Sequence, residues 1–391
     1  MTKIVHLCLA SFYVDNYSYQ ENLLPKYHKR LGFDVEIIAS QQTFNEQGKT
    51  DYFPRGRREY VNENGIKVTR IDYKSKNPKT WAFRRFVGLY DELEKAAPNV
   101  LFIHNVQFLD MDKVVRYLKK NPSVRVIADN HADYSNSATN WISKYVLHGI
   151  IWKRTARMIE PFCEKFWGVL PARVDFLVEN YGLPKNKCDL LVMGADDDEV
   201  NAVFADDFRL KKRESLGYSN ADFVIVTGGK IDLYKRQTIS LIDAVRDIGG
   251  NVKLLVFGPI IPELAGEVSL KIDGDRVTHI PWANTKESYE LFSIADLVVF
   301  PGRHSVYWEQ VVGMGKPVMV KRWAGTDHID LGGNALFLDD CSAEGLRNAV
   351  KCLLNAPQKL NGMKQVAEIE GFRQFAYSSI ARKSVSFDSS K

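Results

Sequence analysis

The stretch Phe223-Val-Ile-Val-Thr-Gly-Gly-Lys-Ile-Asp-Leu-Tyr-Lys235 decides how the chain is read. Its first four residues form a short apolar, mostly β-branched run, the pattern of a buried strand. Gly228 and Gly229 break the run, and residues 236–248 follow with helical spacing. Strand, glycine loop and helix in that order make one βα unit of a parallel sheet. Glycines let a backbone approach a ligand closely, and the N-terminus of the following helix favours an anion. Lys230 and Lys235 bracket the loop, so two ammonium groups stand where a diphosphate would be held. On this loop alone, an ordinary glycine turn with two surface lysines reads equally well.

The same rhythm continues on both sides. Downstream come strands over 253–257, 297–300 and 317–320, with helices over 287–295, after Ser305 and over 343–355. Upstream, strands are expected over 4–8, 35–39, 68–71, 100–103, 124–128 and 166–169. A helix over 19–31 is stopped by Gly32, a favoured residue just past a helix end. Gly194-Ala-Asp-Asp-Asp-Glu199 is acidic and glycine-started, and reads as a linker. The pattern predicts an α/β fold of two Rossmann-like halves joined near residue 200, which suits a length of 391 residues. Ligands of such sheets sit beyond the carboxyl ends of the strands, so the cleft between two such domains is the expected site.

A second loop, Phe300-Pro-Gly-Arg-His-Ser-Val-Tyr-Trp-Glu-Gln-Val-Val-Gly-Met-Gly-Lys-Pro317, also follows a strand and opens a helix. Trp308, Val311 and Val312 keep core spacing. Glu309 lies about 100° round the helix from Trp308 and Gln310 about 200°. An ionised carboxylate only accepts hydrogen bonds, which suits a ribose diol. In the first half, Ile127-Ala-Asp-Asn-His-Ala-Asp133 places Asp129, His131 and Asp133 at a strand end, where burial alone does not ask for them. His104 is a similar strand-end histidine with a hydrogen-bonded structural role expected. No metal-ligand spacing accompanies these residues, so no metal site is expected.

A chain with 45% hydrophobic and 26% charged residues can bury a core and is not a disordered segment. Its five cysteines are scattered and never spaced C-x-x-C, which points to a reducing compartment. No signal peptide and no apolar run near the ~20 residues of a membrane span are read, so the expectation is cytoplasmic. Net charge is +5, with cations and tryptophans mixed in segments 74–85 (Trp81) and 144–157 (Trp152). These are solvated helix faces or a surface that rests on anionic lipid at the inner face of the membrane. Nucleic-acid-binding patterns are absent from the sequence.

Taken together the loops resemble glycosyltransferases of the GT-B fold, most closely the retaining family 4. Tyr19-Gln-Glu-Asn-Leu-Leu-Pro25 with Leu31-Gly-Phe-Asp-Val35 is similar to that family's first helix and entry to strand two. Leu191-Val-Met-Gly-Ala-Asp196 resembles its interdomain P-N-G-V-D, Gly229-Lys230 with Lys235 its G-R and K, and Gly315-Lys-Pro317 its G-x-P. Two departures stand out. The family's E-x7-E is missing: its second glutamate falls at Gln310, beside Glu309, and its first has no counterpart because the loop is about three residues short. His304 or Arg303 occupies that space. The first βα loop, 11–18, is rich in tyrosine instead of paired glycines.

The resemblance implies an acceptor-binding domain over 1–198, a nucleotide-sugar domain over 199–370 and a C-terminal helix, 371–391, crossing back to the first. It implies metal-free transfer with retention from a nucleotide-diphosphate sugar, UDP favoured, to a glycan or lipid-linked acceptor in polysaccharide assembly. The sugar is substrate and no cofactor is expected. His131, Lys230, Lys235 and Glu309 are the catalytic candidates. Gly229, His304, Ser305, Val306, Tyr307 and Gln310 join the donor contacts. Asp129, Asp133, Glu21 and His104 are candidates for acceptor or sugar. Alternatives are an inverting enzyme with Asp129 or His131 as base, a sugar-nucleotide 2-epimerase of the same fold, and a non-catalytic pseudo-glycosyltransferase.

Overall fold

The computed structural model describes residues 1–45, 49–205 and 207–386. The chain divides into two compact units, Met1–Val192 together with Ile380–Lys391, and Met193–Ser379. Residues 387–391, the end of the expected C-terminal helix, lie outside the described residues.

The first unit carries strands β1 (Lys3–Cys8), β2 (Asp34–Ala39), β3 (Gln42–Phe44), β4 (Thr50–Tyr52), β5 (Arg58–Val61), β6 (Lys67–Arg70), β7 (Val100–His104), β8 (Arg125–Asn130), β9 (Cys163–Gly168) and β10 (Cys188–Leu190). Eight of them form one sheet in the order β10-β9-β8-β7-β1-β2-β6-β5. Every pairing is parallel except β5 with β6. Burial on both faces explains the continuous apolar runs. Alternate side chains serve different cores: Val5 and Leu7 pack with Phe86 and Leu93, whereas Cys8 packs with Val35 and Ile37. The strand order reverses between β1 and β7, the loops after those two strands flank that switch point, and the loop after β8 lies next to it.

The second unit carries β11 (Phe223–Gly228), β12 (Val252–Phe257), β13 (Val277–Ile280), β14 (Leu297–Phe300), β15 (Val318–Lys321) and β16 (Ala335–Leu338). Their order is β13-β12-β11-β14-β15-β16, all parallel, with the reversal between β11 and β14. The helices Gln237–Ile248 and Ala343–Leu354 bury Ile242, Val245, Leu346 and Val350 against one face of this sheet.

Three features depart from the sequence reading. The acidic stretch near residue 196 is a helix start, not a linker: Asp196 accepts from the Asp198 N–H at 3.1 Å, and Asp197, Asp198 and Glu199 fill the first turn of the helix Asp197–Val203. Carboxylates there satisfy free N–H groups and complement the helix dipole. The short strands β3, β4, β5, β13 and β16 were not expected, because their mostly exposed or half-buried residues show too little apolar periodicity over three or four positions. The segment Ile142–Trp152 winds as a π-helix, whose i→i+5 bonding no residue pattern announces.

Candidate functional site

In the second unit the switch point carries a pocket of about 300 Å³ lined by Gly229, Lys230, Lys235, Phe257, Gly258, Pro259, Trp282, Ala283, Ser305, Val306 and Tyr307. It opens where β11 ends. Gly229 has φ +109° and Gly258 has φ +120°, and a Cβ on Gly258 would stand 2.5 Å from the Gly229 carbonyl oxygen. Only glycine permits this approach of two loops. The Asp232 carboxylate accepts from the N–H groups of Tyr234 and Lys235 at 3.0 and 3.2 Å, fixing a short turn Leu233–Lys235. That turn sends Lys235 back over the glycines, with Nζ 3.4 Å from where a Cβ on Gly229 would lie.

Lys235 is half-buried and Lys230 exposed. Burial pulls the Lys235 ammonium below its ordinary pKa, opposed by the Asp232 charge. Among the described residues neither lysine forms an ion pair. Asp232 makes no ion pair with this half-buried cation, and an anion in the pocket would offset the cost of burying it. Gly229, Lys230, Lys235, Ser305, Val306 and Tyr307 are thus brought together here.

Glu309, His304 and Gln310 do not line this pocket. The short helix Tyr307–Gly313 buries Trp308, Val311 and Val312 as their spacing requires, and it buries Glu309 completely as well. Glu309 Oε1 accepts from His304 Nε2 at 2.7 Å and from His328 Nε2 at 2.9 Å. Burial pushes this carboxyl up, but the two imidazoles outweigh it and hold it well below the usual carboxylate range. Glu309 Oε2, His328 Nδ1 and Trp308 Nε1 are buried without a partner. Gln310 Nε2 donates to Ser288 Oγ at 3.0 Å. An enclosed carboxylate gripped by two rings is not presented as a ribose ligand in this arrangement. Its contacts make it the holder of His304 and His328. His328, in a turn after β15, was missed by the sequence reading, although its place beyond a strand's carboxyl end was the available signal.

The first unit brings Asp129, His131 and Glu21 together beyond β8. His131 Nε2 lies 3.5 Å from Asp129 Oδ2 and 3.9 Å from Glu21 Oε1. Burial lowers the His131 pKa, yet the Asp129 and Glu21 charges prevail and raise it. Asp129 also meets His104 Nδ1 at 2.7 Å and accepts from the Asn105 N–H at 2.9 Å. Burial pushes Asp129 up, but His104 and His131 hold it well below its ordinary value. His104 is fully enclosed and cannot reach an acceptor. Asp133 is not free either. Its Oδ1 accepts from the Ser135 and Asn136 N–H groups, and its Oδ2 from Arg173 Nε at 3.1 Å, so its bonds shape the loop. Among the described residues no group of three or more His, Cys, Asp or Glu is arranged to hold a metal ion.

No family model and no curated protein matches the chain. Solved structures do. A glycosyltransferase from Rickettsia africae ESF-5 superposes with a TM-score of 0.68 at 15% identity, over 98% of this chain and 96% of that one. Anabaena Alr3699/HepE in complex with UDP gives 0.67 at 15% identity, over 98% of each chain. UDP-GlcNAc 2-epimerase from Neisseria meningitidis bound to UDP-GlcNAc gives 0.61 at 12% identity, over 98% of each. Likeness at such low identity carries the architecture and nothing finer: the chain has the GT-B fold, built of two Rossmann-like units.

Proposed function

We propose that the protein is a glycosyltransferase that takes its sugar from a nucleotide-diphosphate donor, UDP-linked in the first instance. The observation that carries this reading is Lys235, a half-buried ammonium outside any ion pair, set over paired glycines at the switch point of a parallel sheet. Lys230 at the mouth adds a second charge, and exposed Trp282 offers a ring face to the base. As the glycosidic bond breaks, charge grows on the leaving diphosphate, and the lysines stabilise it in place. Transfer then proceeds with retention, without a metal or a cofactor. The first unit takes the acceptor, a glycan or lipid-linked glycan, near Asp129, Glu21 and His131.

The test is incubation with a panel of UDP-sugars, with and without glycan acceptors, in EDTA. Acceptor-dependent UDP release with an unchanged anomeric configuration is the expected result. An inverted product would give Asp129 or His131 the part of general base. Conversion of the donor alone would make the chain an epimerase, the reading that the Neisseria neighbour keeps open. Donor binding without any turnover would indicate a non-catalytic subunit, consistent with the absent first glutamate.

The acceptor reading extends to an anionic bilayer at the cytoplasmic face. No helix among the described residues is long and apolar enough to cross a membrane. Trp81 is half-buried and stacks on Tyr73 with centroids 4.6 Å apart, and Trp152 is buried, so neither tryptophan marked in the sequence is a freely exposed ring. Trp141 does. With Tyr145 and Ile150 it forms a stripe spaced by four and five residues, the spacing of the π-helix, and Ile142 lies alongside. Lys144 lies over the Tyr134 and Tyr145 rings at 5.2 and 5.3 Å. Between residues 134 and 159 there are four cations, Lys144, Lys153, Arg154 and Arg157, and no carboxylate. Each adds about 1 kcal/mol near anionic lipid. Trp141→Ser with Ile142→Ser is expected to cut binding to phosphatidylserine vesicles by about 10–100-fold, with little change in melting temperature since both sites are exposed. Equal sedimentation of wild type and variant with such vesicles would remove this part of the proposal.

A further inference from the structure

Three histidines of the first unit, none reaching solvent, form one unbroken hydrogen-bonded line that the chemistry above does not use. His28 Nδ1 lies 3.0 Å from His6 Nε2, and His6 Nδ1 lies 2.9 Å from His104 Nε2. The rings stack, with centroids 5.1 and 5.2 Å apart. At one end His104 Nδ1 meets Asp129 Oδ2 at 2.7 Å, beside His131. At the other, His28 Nε2 lies 2.8 Å from Ser384 Oγ and 3.0 Å from the Ala381 carbonyl, both on the helix Tyr377–Val385. Ser384 is itself buried, and its carbonyl accepts from Trp167 Nε1 at 3.1 Å.

With all three rings neutral, counting protons fixes the direction of this line. Its four contacts, Ser384–His28, His28–His6, His6–His104 and His104–Asp129, need one proton each. A neutral imidazole supplies one N–H, so three rings supply three. Asp129 already accepts from the Asn105 N–H and from Gln20 Nε2, as an ionised carboxylate does. The His104 proton must therefore sit on Nδ1, facing Asp129. His6 must then donate from Nδ1 to His104, and His28 from Nδ1 to His6. That leaves a bare lone pair on His28 Nε2, and of the two groups in contact with it only the Ser384 hydroxyl can donate, giving up its alternative 2.8 Å bond to the Ala381 carbonyl. The Ala381 carbonyl can only accept.

We propose that Ser384 is a positioning residue for the Asp129–His131 pair. Its hydroxyl sets the tautomers of His28, His6 and His104, and so keeps His104 donating to the carboxylate that His131 faces. This rests on reading Asp129 and His131 as part of the active site, but the tautomers themselves do not depend on it. Around the Asp129–His131 end of the line stand Cys8 on β1, Glu21 on the helix Gln20–Arg30, and Arg173, with Arg70 beyond Cys8. Burial holds His6 and His28 below the ordinary histidine range, His28 at about 4; at His28 the Ala381 carbonyl opposes this, and neighbouring imidazoles add to the lowering of both. Without the hydroxyl, the Ala381 carbonyl is the only polar group left beside His28 Nε2, and it draws the ring proton to that nitrogen. The line then reverses and brings two lone pairs together at Asp129, unless one further proton enters and makes an imidazolium.

Ring nitrogen NMR spectra of the full chain labelled at histidine test this directly. In wild type near neutral pH, His6, His28 and His104 are expected as neutral Nδ1–H tautomers. In Ser384→Ala at least one becomes an imidazolium or an Nε2–H tautomer, and the His131 midpoint falls by about one pH unit, because Asp129 now shares its charge. Ser384→Thr, which keeps a hydroxyl, restores the wild-type pattern. Nε2–H tautomers in the wild type would overturn the proposal even if the alanine variant failed to fold, and so would a folded Ser384→Ala with unchanged spectra. Failure of sugar transfer with these tautomers intact would instead count against the functional reading.

Discussion

Replacing Lys235 with alanine is expected to lower kcat/KM for sugar transfer by about 10²–10³-fold, the usual loss when one preorganised group that stabilises transition-state charge is removed. The effect is large because the ammonium is half-buried, fixed through the Asp232-capped turn, and aimed over Gly229. In that setting its interaction with a phosphate is poorly screened. UDP affinity should fall by about 10–100-fold, as expected for a charged hydrogen bond worth about 1.5–3 kcal/mol. Lys230 is exposed, so Lys230→Ala should cost about tenfold or less and depend strongly on salt. Steady-state kinetics with titrated UDP at two ionic strengths separates the two lysines. Wild-type kinetics for Lys235→Ala would end the diphosphate assignment.

Glu309→Ala is expected to destabilise the second unit by about 3–5 kcal/mol, because it leaves two imidazole N–H groups unpaired around a cavity. For a unit of this size that lowers the melting temperature by roughly 6–20 °C. Glu309→Gln keeps one acceptor and the volume, and should cost about 1–2 kcal/mol. The pH dependence has a definite sign. The folded carboxyl is held below its ordinary value, so its contribution is complete above the unfolded pKa of about 4.3. It is lost as pH falls from there toward the folded value. The gap between wild type and Glu309→Ala is therefore widest near neutrality and narrows in acid. Melting curves from pH 7 to pH 3 check this, and a gap that widens on acidification would exclude the assignment.

The site was legible in the sequence where chemistry is local. The loop after β11 announces its glycines, lysines and following helix within thirteen residues, and the structure gathers those same groups around one pocket. Trp308, Val311 and Val312 were placed by period alone. The roles of Glu309 and Asp133 were not legible. Helical spacing gives the angle of Glu309 but not what meets it, and its partners His304 and His328 come from loops after two different strands. Asp133 looked like a ligand at a strand end, but Arg173 from a later helix and its own turn claim both of its oxygens.

By itself the sequence determined the parallel α/β units and the glycine–lysine loop of the second half, because apolar period, glycine and helix starts are properties of neighbours along the chain. Sheet order was decided only on folding. By putting β1 beside β7 and β7 beside β8, it places His6 next to His104, and His104 opposite Asp129. The return of residues 380–386 to the first unit adds Ser384 to that line. Pairing between strands distant in the chain is fixed by burial of whole faces, and no local spacing carries it. The histidine line and the enclosed Glu309 are therefore products of tertiary structure, whereas the lysine loop belongs to the sequence.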